Sequence, residues 1–361
     1  MEKYRVGIVG ATGMVGQRFI SLLKDHPWFE VNCVAASARS AGKTYREAVG
    51  ERWAFAWEIP EKVAGMTVVD AADIDEVSKH VDFVFCAVDM KKDEIRALEE
   101  AYAKHEIPVV SNNSACRGIE DVPMVVPEIN ADHLAVIEAQ KKRLGTKSGF
   151  IAVQPNCSIQ SYVPALTPLL DFEPEKVSVC TYQAISGAGK TFKTWPEMVD
   201  NVIPYIGGED EKSENEPLKL WGHVEDGKIV NATLPVISAQ CLRVACSDGH
   251  MAAVSVSFKK KPTIEQIKER WANYETEAQR LELPSAPKPF LQYFEDPSRP
   301  QTRLDRDFQN GFGVSIGRLR EDKLFDYRFV CLSHNTVRGA AGGGILTAEL
   351  LCRKGYIPHR V

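Results

Sequence analysis

Cys157 lies where an apolar strand pattern over residues 149–153 gives way to an apolar helical pattern over residues 159–170, with Pro155 between them. This order predicts a thiol at the N-terminus of a helix, whose free N–H groups and positive dipole end favour a thiolate. The same N–H groups could hold the oxyanion that forms when sulfur attacks a carbonyl. An ordinary half-buried cysteine would fit the same placement.

A nucleophilic cysteine needs a base, because a free thiol with a pKa near 8.5 is only about 3% thiolate at pH 7. His250 is the best candidate, since residues 243–250 read as a strand followed by a tight turn. The turn would present Arg243 and His250 at one end of a sheet. An unremarkable turn histidine is the alternative. We expect most other histidines to be solvated on exposed helices or loops.

A glycine motif follows the first predicted strand and opens the first predicted helix. Its spacing, G-x-x-G-x-x-G, differs by one residue from the usual dinucleotide fingerprint but would serve the same tight turn and pyrophosphate approach. A plain strand-to-helix turn is the alternative. The candidate cofactor residues in this motif are Gly10, Thr12, Gly13, Met14, Val15 and Gly16.

The end of the second predicted strand indicates which dinucleotide binds. No acid follows this strand, where NAD enzymes usually place one for the ribose hydroxyl. Ser37, Arg39 and Ser40 stand there instead and suit a 2′-phosphate, so NADP is predicted over NAD. Arg39 could also be a solvated loop residue. Ser186 and Gly187 belong to a P-loop-like run that lacks its first glycine, which favours a glycine loop near the nicotinamide over a triphosphate site.

The first 150 residues alternate predicted strands with helices, which is typical of a parallel sheet. The strands are predicted at residues 5–9, 31–36, 81–88 and 107–111, and the helices at 14–24, 91–105 and 132–144. The second half has longer alternating strands, predicted at 177–183, 242–246, 251–258, 314–319 and 325–332, and a helix at 263–274. Residues 207–227 are charged and predict a surface excursion.

These patterns predict an α/β protein with two main units. A Rossmann-type NADP-binding domain with a parallel sheet would span residues 1–156. A second domain of α+β type, with a mostly antiparallel sheet, would span residues 157–334. Residues 335–361 would form a C-terminal helix, predicted at 340–354 and apolar on one face, that returns to pack on the first domain.

Composition narrows the functional class. The net charge of −5 and the lack of basic stretches give no indication of nucleic acid or membrane surfaces as partners, and no apolar run is long enough for a membrane span. The chain enters a strand within four residues, so no signal peptide is predicted. The nine cysteines include no C-x-x-C pair, so no zinc ribbon or other metal site is indicated. A reducing cytoplasm fits best.

Six runs, in this order along the chain, resemble those of the aspartate-β-semialdehyde dehydrogenase family in its archaeal and fungal branch. They are residues 10–16, 111–117, 154–159, 183–189, Arg243 with His250, and 335–342. The resemblance implies that Cys157 is an acyl-enzyme nucleophile, His250 the general acid/base, and Gln183 a residue that orients the substrate.

The same resemblance implies the binding roles. Arg243 would hold the substrate carboxylate, and Glu209 would contact its amino group. Lys212 and Arg117, with Asn112 near it, would bind phosphate, and Asn335 would contact the nicotinamide amide.

Relatives with the same chemistry remain rivals to this function. A malonyl-CoA reductase is the nearest of them, and N-acetyl-glutamyl-phosphate reductase is more distant. A non-catalytic NADP-binding redox sensor is the alternative from another class. The resemblance also implies that residues 157–334 are the catalytic and dimerisation domain, and that a homodimer or homotetramer forms through its sheet.

Overall fold

The computed structural model describes residues 2–359 and contains two large sheets and a two-stranded hairpin. Their strands are β1 (Tyr4–Val9), β2 (Phe29–Ala36), β3 (Val69–Asp70), β4 (Phe83–Cys86), β5 (Val109–Ser111), β6 (Ile151–Val153), β7 (Pro174–Gln183), β8 (Val202–Ile203), β9 (His223–Glu225), β10 (Lys228–Val230), β11 (Val236–Val244), β12 (His250–Phe258), β13 (Leu291–Phe294), β14 (Val314–Glu321) and β15 (Tyr327–Ser333).

The α-helices connect and cover these sheets. They are α1 (Met14–Leu23), α2 (Tyr45–Val49), α3 (Glu61–Ala64), α4 (Ile74–Ser78), α5 (Lys92–Lys104), α6 (Ile137–Leu144), α7 (Val163–Leu166), α8 (Glu209–Leu220), α9 (Ile264–Ala272), α10 (Glu277–Arg280), α11 (Thr302–Asp305) and α12 (Gly342–Arg353). No helix within residues 2–359 is long and apolar enough to cross a membrane.

The first sheet has six parallel strands in the order β3-β2-β1-β4-β5-β6. Residues 6–9 of β1 and all residues of β4 and β5 are buried and, apart from Ser111, lack polar side chains, as expected for a sheet covered on both faces. Parallel strands place their carboxyl ends at one edge, where ligands bind. The glycine motif follows β1 there, Asn112 follows β5, and Cys157 follows β6 within four residues.

The second sheet has seven strands in the order β13-β14-β15-β12-β7-β11-β8. Most neighbours are antiparallel, but β7 and β11 are parallel, as are β13 and β14. The register pairs Arg243 with Gln183 at the ends of β11 and β7. His250 begins β12 beside them. The predicted fold class is confirmed, and the sheet brings three candidate residues to one end.

Two predicted segments differ from the structure near Cys157. The helix predicted over residues 159–170 begins only at residue 163, because the chain turns irregularly through residues 157–162, and it consists of the four-residue α7 followed by a 3₁₀ segment. The surface excursion predicted over 207–227 is wrong. This region contains α8, which buries Glu209, Ser213 and Lys219. Charged side chains can be buried there because they bind one another and nearby carbonyls.

The C-terminal helix α12 does return to the first sheet, but it is not apolar on one face only. All ten residues 342–351 are buried, because the helix is enclosed on all sides. Glu349 is tolerated inside because its carboxylate contacts His26 Nε2 at 2.8 Å and accepts the Ser285 N–H at 3.0 Å. The domain limits at 156 and 334 stay a prediction.

Candidate active site

Cys157 and His250 meet where the two sheets face each other. The Cys157 Sγ lies 3.4 Å from His250 Nε2, although 93 positions separate the residues. Gly339 packs behind the thiol, since a Cβ at Gly339 would lie 2.8 Å from Cys157 Cβ. Ala184 N–H donates to His250 Nδ1 at 3.1 Å and so fixes the orientation of the ring. The predicted nucleophile and its partner are therefore in contact.

Burial decides the protonation of this pair. Desolvation, reinforced by Glu209, raises the pKa of the Cys157 thiol to about 12. Desolvation, reinforced by Arg243, lowers the pKa of His250 to about 3. The pair is thus a neutral thiol beside a neutral imidazole at pH 7. The predicted resting thiolate is wrong, because no regular helix begins at Cys157 and desolvation outweighs the nearby cations.

The predicted oxyanion donors at the cysteine turn are also partly occupied. Asn156 N–H donates to Glu216 Oε2 at 2.6 Å, and Ser158 N–H donates to Asn156 Oδ1 at 2.7 Å. These two N–H groups hold the turn in shape and are not free for a ligand. In the neutral His250 ring the proton lies on Nε2, because Nδ1 accepts from Ala184, so an N–H donor faces the sulfur.

A hydrogen-bonded carboxylate lies next to the cysteine turn. Glu209 accepts from both Asn156 Nδ2 and Gln183 Nε2, at 2.9 and 3.2 Å. Its ion pair with Lys212 measures 2.7 Å. Burial acts to raise the pKa of Glu209, but these contacts, led by Lys212, leave it below its usual range. The predicted Glu209, Lys212 and Gln183 are therefore brought together around an ionised carboxylate.

Two arginines add positive charge to the site. Arg243 is 6% exposed, and its Nη1 donates to the Ala184 carbonyl at 2.7 Å. Arg117 donates from Nε to the Gln154 carbonyl at 2.7 Å and forms an ion pair of 2.9 Å with Glu216. Both guanidinium groups act on the Cys157 thiol electrostatically. Asn112 meets Arg117 only through its backbone carbonyl, at 3.3 Å.

The glycine turn has the shape of a dinucleotide site. A Cβ at Gly10 or Gly16 would lie 2.3 Å from a backbone oxygen, so close packing requires both glycines. Gly13 is the N-cap of α1, and no side chain caps this end of the helix. The space beside Gly13 is open, since the nearest atom to a Cβ added there would lie 3.5 Å away. The exposed helix N-terminus at Gly13 therefore fits a pyrophosphate. The motif's other candidates, Thr12, Met14 and Val15, are half-buried around this turn.

The ribose candidates follow directly after β2. Ser37 and Arg39 are exposed, whereas Ser40 is buried and its N–H donates to the Ser37 carbonyl at 2.8 Å. The N–H groups of Gly10 and Ala11 bind Ala35 at the end of β2, which keeps this segment beside the glycine turn.

The second sheet contributes a loop on the opposite side. Asn335 accepts from Gly249 N–H at 2.8 Å and donates to Ser186 Oγ at 2.9 Å, so its amide ties the loop to the turn before His250. A Cβ at Gly187 would lie 2.9 Å from Arg243 Nη1 and 3.0 Å from His250 Nε2. The described residues contain no group of three His, Cys, Asp or Glu side chains that could hold a metal ion.

Comparison with known proteins gives the family. Residues 5–137 match the family model described as semialdehyde dehydrogenase, NAD binding domain, and residues 166–338 match its dimerisation domain. The chain is 45% identical to the aspartate-semialdehyde dehydrogenase of Schizosaccharomyces pombe and 43% identical to that of Archaeoglobus fulgidus. Each alignment covers 98% of this chain, with 99% and 100% of the relative.

A solved structure agrees with these relatives. Aspartate semialdehyde dehydrogenase from Candida albicans, determined with NADP, superposes with a TM-score of 0.88 at 38% identity and covers 99% of this chain and 100% of its own. The chain belongs to the aspartate-semialdehyde dehydrogenase family. The predicted resemblance is confirmed, and the member described here is an oxidoreductase of that family.

Sequence reasoning missed three site residues of this family member. Asn156, Glu216 and Lys219 each bind a predicted site residue or its loop. A signal for two of them was present, since Glu209, Lys212, Glu216 and Lys219 have the spacing of one helical face.

Four of the seven other histidines are exposed, so the prediction that most of them are solvated is confirmed. The exceptions, His26, His133 and His334, are 6%, 1% and 5% exposed. Polar partners make this burial possible, as with His26 beside Glu349 and His133 beside Asn130 at 3.0 Å.

Proposed function

We propose that this protein is an NADP-dependent phosphorylating aldehyde dehydrogenase that interconverts aspartate semialdehyde and aspartyl phosphate through a thioester on Cys157. The contact of 3.4 Å between Cys157 Sγ and His250 Nε2 is the observation that carries the proposal. Anion-binding side chains surround this contact, as a substrate with a carboxylate and a phosphate requires. The relatives' name, aspartate-semialdehyde dehydrogenase, agrees with this substrate.

The first step forms a carbon–sulfur bond between Cys157 Sγ and the aldehyde carbon. The electron pair of the carbonyl moves to its oxygen, and the thiol proton passes to that oxygen with His250 as the relay. Loss of a hydride from carbon and of the oxygen's proton, which passes to solvent because both nitrogens of His250 are occupied, leaves a thioester. Phosphate then attacks the thioester carbon and the carbon–sulfur bond breaks. The proton of the phosphate reaches the sulfur with His250 as the relay, which restores the thiol.

NADP, when bound, supplies the hydride acceptor in one direction and the hydride in the other. The open N-terminus of α1 at Gly13 would hold its pyrophosphate, and Ser37, Arg39 and Ser40 would receive its 2′-phosphate. Asn335 would contact the nicotinamide amide. The Arg39→Ala variant tests the preference: the KM for NADP should rise while the KM for NAD stays unchanged. An equal change in both would contradict a 2′-phosphate contact.

The substrate roles follow from the charges around the sulfur. Arg243 would hold the substrate carboxylate and Glu209 its ammonium group, while Gln183 orients the substrate beside the thiol. Arg117 and Lys212 would bind phosphate, with Asn112 placing Arg117 through its backbone. Each assignment is a proposal that rests on charge, on burial and on the roles that the family resemblance implies.

One assay separates the competing functions. The purified protein receives aspartate semialdehyde, NADP and phosphate, with malonyl-CoA and NADPH in parallel. We expect phosphate-dependent NADPH formation only in the first mixture, and its absence would refute the proposed function. Cys157→Ala should abolish the reaction. A redox sensor would instead tolerate the loss of His250 and Arg243, as long as Cys157 remained oxidisable.

We further propose a cytoplasmic enzyme of the pathway that leads from aspartate to lysine, threonine and methionine. All nine cysteines are free thiols, which fits a reducing compartment. A homodimer or homotetramer would cover exposed apolar residues along the β11–β8 edge of the second sheet, among them Val202, Tyr205 and Val236. A monomeric mass in light scattering would refute the oligomer.

A further inference from the structure

Glu216 connects two parts of the site that the family resemblance leaves separate. Its Oε1 accepts from Arg117 Nη1 at 2.9 Å, and its Oε2 accepts the Asn156 N–H at 2.6 Å. Asn156 directly precedes Cys157. One carboxylate, only 11% exposed, therefore touches both the proposed phosphate anchor and the turn that carries the nucleophile.

The rest of α8 fixes the place of this carboxylate. Glu209, Lys212, Glu216 and Lys219 follow one another at intervals of three, four and three residues, so they share one face of the helix. Lys219 is 6% exposed, and its Nζ donates to the carbonyls of Arg117, Ile119 and Val122 at 2.7, 2.7 and 3.0 Å. The helix is thereby tied to the loop that begins at Arg117.

Arg117 has little freedom left in this arrangement. Its Nε donates to Gln154 O, its Nη1 to Glu216, and its Nη2 to Asn112 O. Three of the five N–H donors of a guanidinium are thus engaged, which fixes the plane of the group and leaves two for an anion. The Glu216 contact is the charge-assisted one and contributes most to this orientation.

We propose that Glu216 is a positioning residue that holds Arg117 in the plane from which bound phosphate reaches the Cys157 thioester. The same negative charge offsets that of Arg117, so orientation is gained at the expense of anion affinity. Because this role rests on the proposed function, the two can be tested together.

The Glu216→Gln variant separates orientation from charge. The two donors contact different oxygens of the carboxylate, Arg117 at Oε1 and Asn156 at Oε2. Glutamine replaces one of these oxygens with an NH2 group and removes the charge, so one of the two contacts is lost. We expect phosphate to bind roughly three- to tenfold more tightly, since one partly screened charge is removed. We expect kcat for phosphate-dependent NADPH formation to fall by about 10- to 100-fold, because the bound anion is misplaced.

Phosphate affinity is measured without turnover, from the protection that inorganic phosphate gives Cys157 against alkylation by iodoacetamide. Glu214→Gln is the matched control. Glu214 is a half-buried glutamate of the same helix that accepts one backbone N–H, from Ala239 at 3.0 Å, and it should leave both the phosphate Kd and kcat unchanged.

Opposite outcomes would overturn the proposal. Weaker phosphate binding together with a lower kcat would make Glu216 a purely structural support, and an unchanged kcat would remove its positioning role. If Glu216→Gln fails to fold, Glu216→Asp keeps the charge but shortens the reach, and it should lower kcat with little change in phosphate Kd. A wild-type protein without phosphate-dependent activity would refute the proposed function. The phosphate Kd of wild type and of Glu216→Gln could still be compared, and that comparison would test whether Glu216 acts on Arg117.

Discussion

Gly187→Ala perturbs the site without changing a charged or nucleophilic group. The added Cβ would lie 2.9 Å from Arg243 Nη1 and 3.0 Å from both Cε1 and Nε2 of His250. Ordinary contacts between such atoms begin near about 3.5 Å. The imidazole and the guanidinium must therefore move by roughly 0.5 Å to make room.

This displacement acts on the pair that carries the chemistry. His250 Nε2 is already 3.4 Å from Cys157 Sγ, and the ring is held from behind by Ala184 N–H. A misplacement of about 1 Å can cost a factor of about 100 in rate. We therefore expect kcat for NADP-dependent oxidation of aspartate semialdehyde to fall by about 10- to 100-fold, with the KM for NADP within about threefold of wild type.

Gly189→Ala is the matched control on the same loop. Gly189 has φ of 66° and no neighbour within 4 Å of an added Cβ, so alanine there meets backbone strain but no crowding. It should lower the free energy of unfolding by roughly 1 kcal/mol and leave kcat nearly unchanged. Gly187→Ala with wild-type kcat, or with a large rise in the KM for NADP alone, would refute the steric argument.

Three further predictions concern other contacts of the site and the core. Gly339→Ala would place a Cβ 2.8 Å from Cys157 Cβ and 3.1 Å from its Cα, so the turn that carries Cys157 must shift. We expect this variant to lose more activity than Gly187→Ala, while a fluorescence titration should show normal NADP binding. Because the pKa of Cys157 is raised to about 12 and that of His250 is lowered to about 3, the alkylation rate should rise about tenfold per pH unit between roughly pH 6 and 10; a plateau near neutrality would show a resting thiolate instead. Arg338→Met leaves the fully buried Glu128 carboxylate without its ion pair and should lower the free energy of unfolding, measured in urea, by about 3–5 kcal/mol. A variant as stable as wild type would contradict this prediction.

The sequence was sufficient for the parallel sheet and for the pairing of Cys157 with His250. Strand and helix periods are local, and the carboxyl ends of parallel strands meet at one edge whatever lies between them. Gln183, Arg243 and His250 lie at strand ends, so correct placement of the strands also placed these side chains at one end of the second sheet.

The sequence was insufficient where burial depends on polar partners. α8 consists mainly of charged residues, and a hydropathy pattern assigns such a segment to solvent. Glu216 of this helix is buried because it accepts from Arg117 and from the Asn156 N–H, and Lys219 is buried because it donates to backbone carbonyls such as that of Arg117. These partners lie about 60 to 100 positions away in the sequence. The helical spacing of Glu216 and Lys219 with Glu209 and Lys212 is visible in the sequence. Their partners are not, because long-range polar contacts have no periodicity, so these contacts emerge only from the tertiary structure.

The protonation of Cys157 and His250 also depends on burial, and it determines the order of proton transfer and carbon–sulfur bond formation. Nδ1 of His250 accepts from Ala184, so the neutral ring at rest presents Nε2–H to Cys157 and has no lone pair there to receive the thiol proton. Net proton transfer from sulfur therefore requires an oxygen of the substrate to accept the Nε2 proton as the carbon–sulfur bond forms. The thiol stays protonated until a carbonyl is in place, which keeps a sulfur surrounded by Arg117, Arg243 and Lys212 unreactive without substrate.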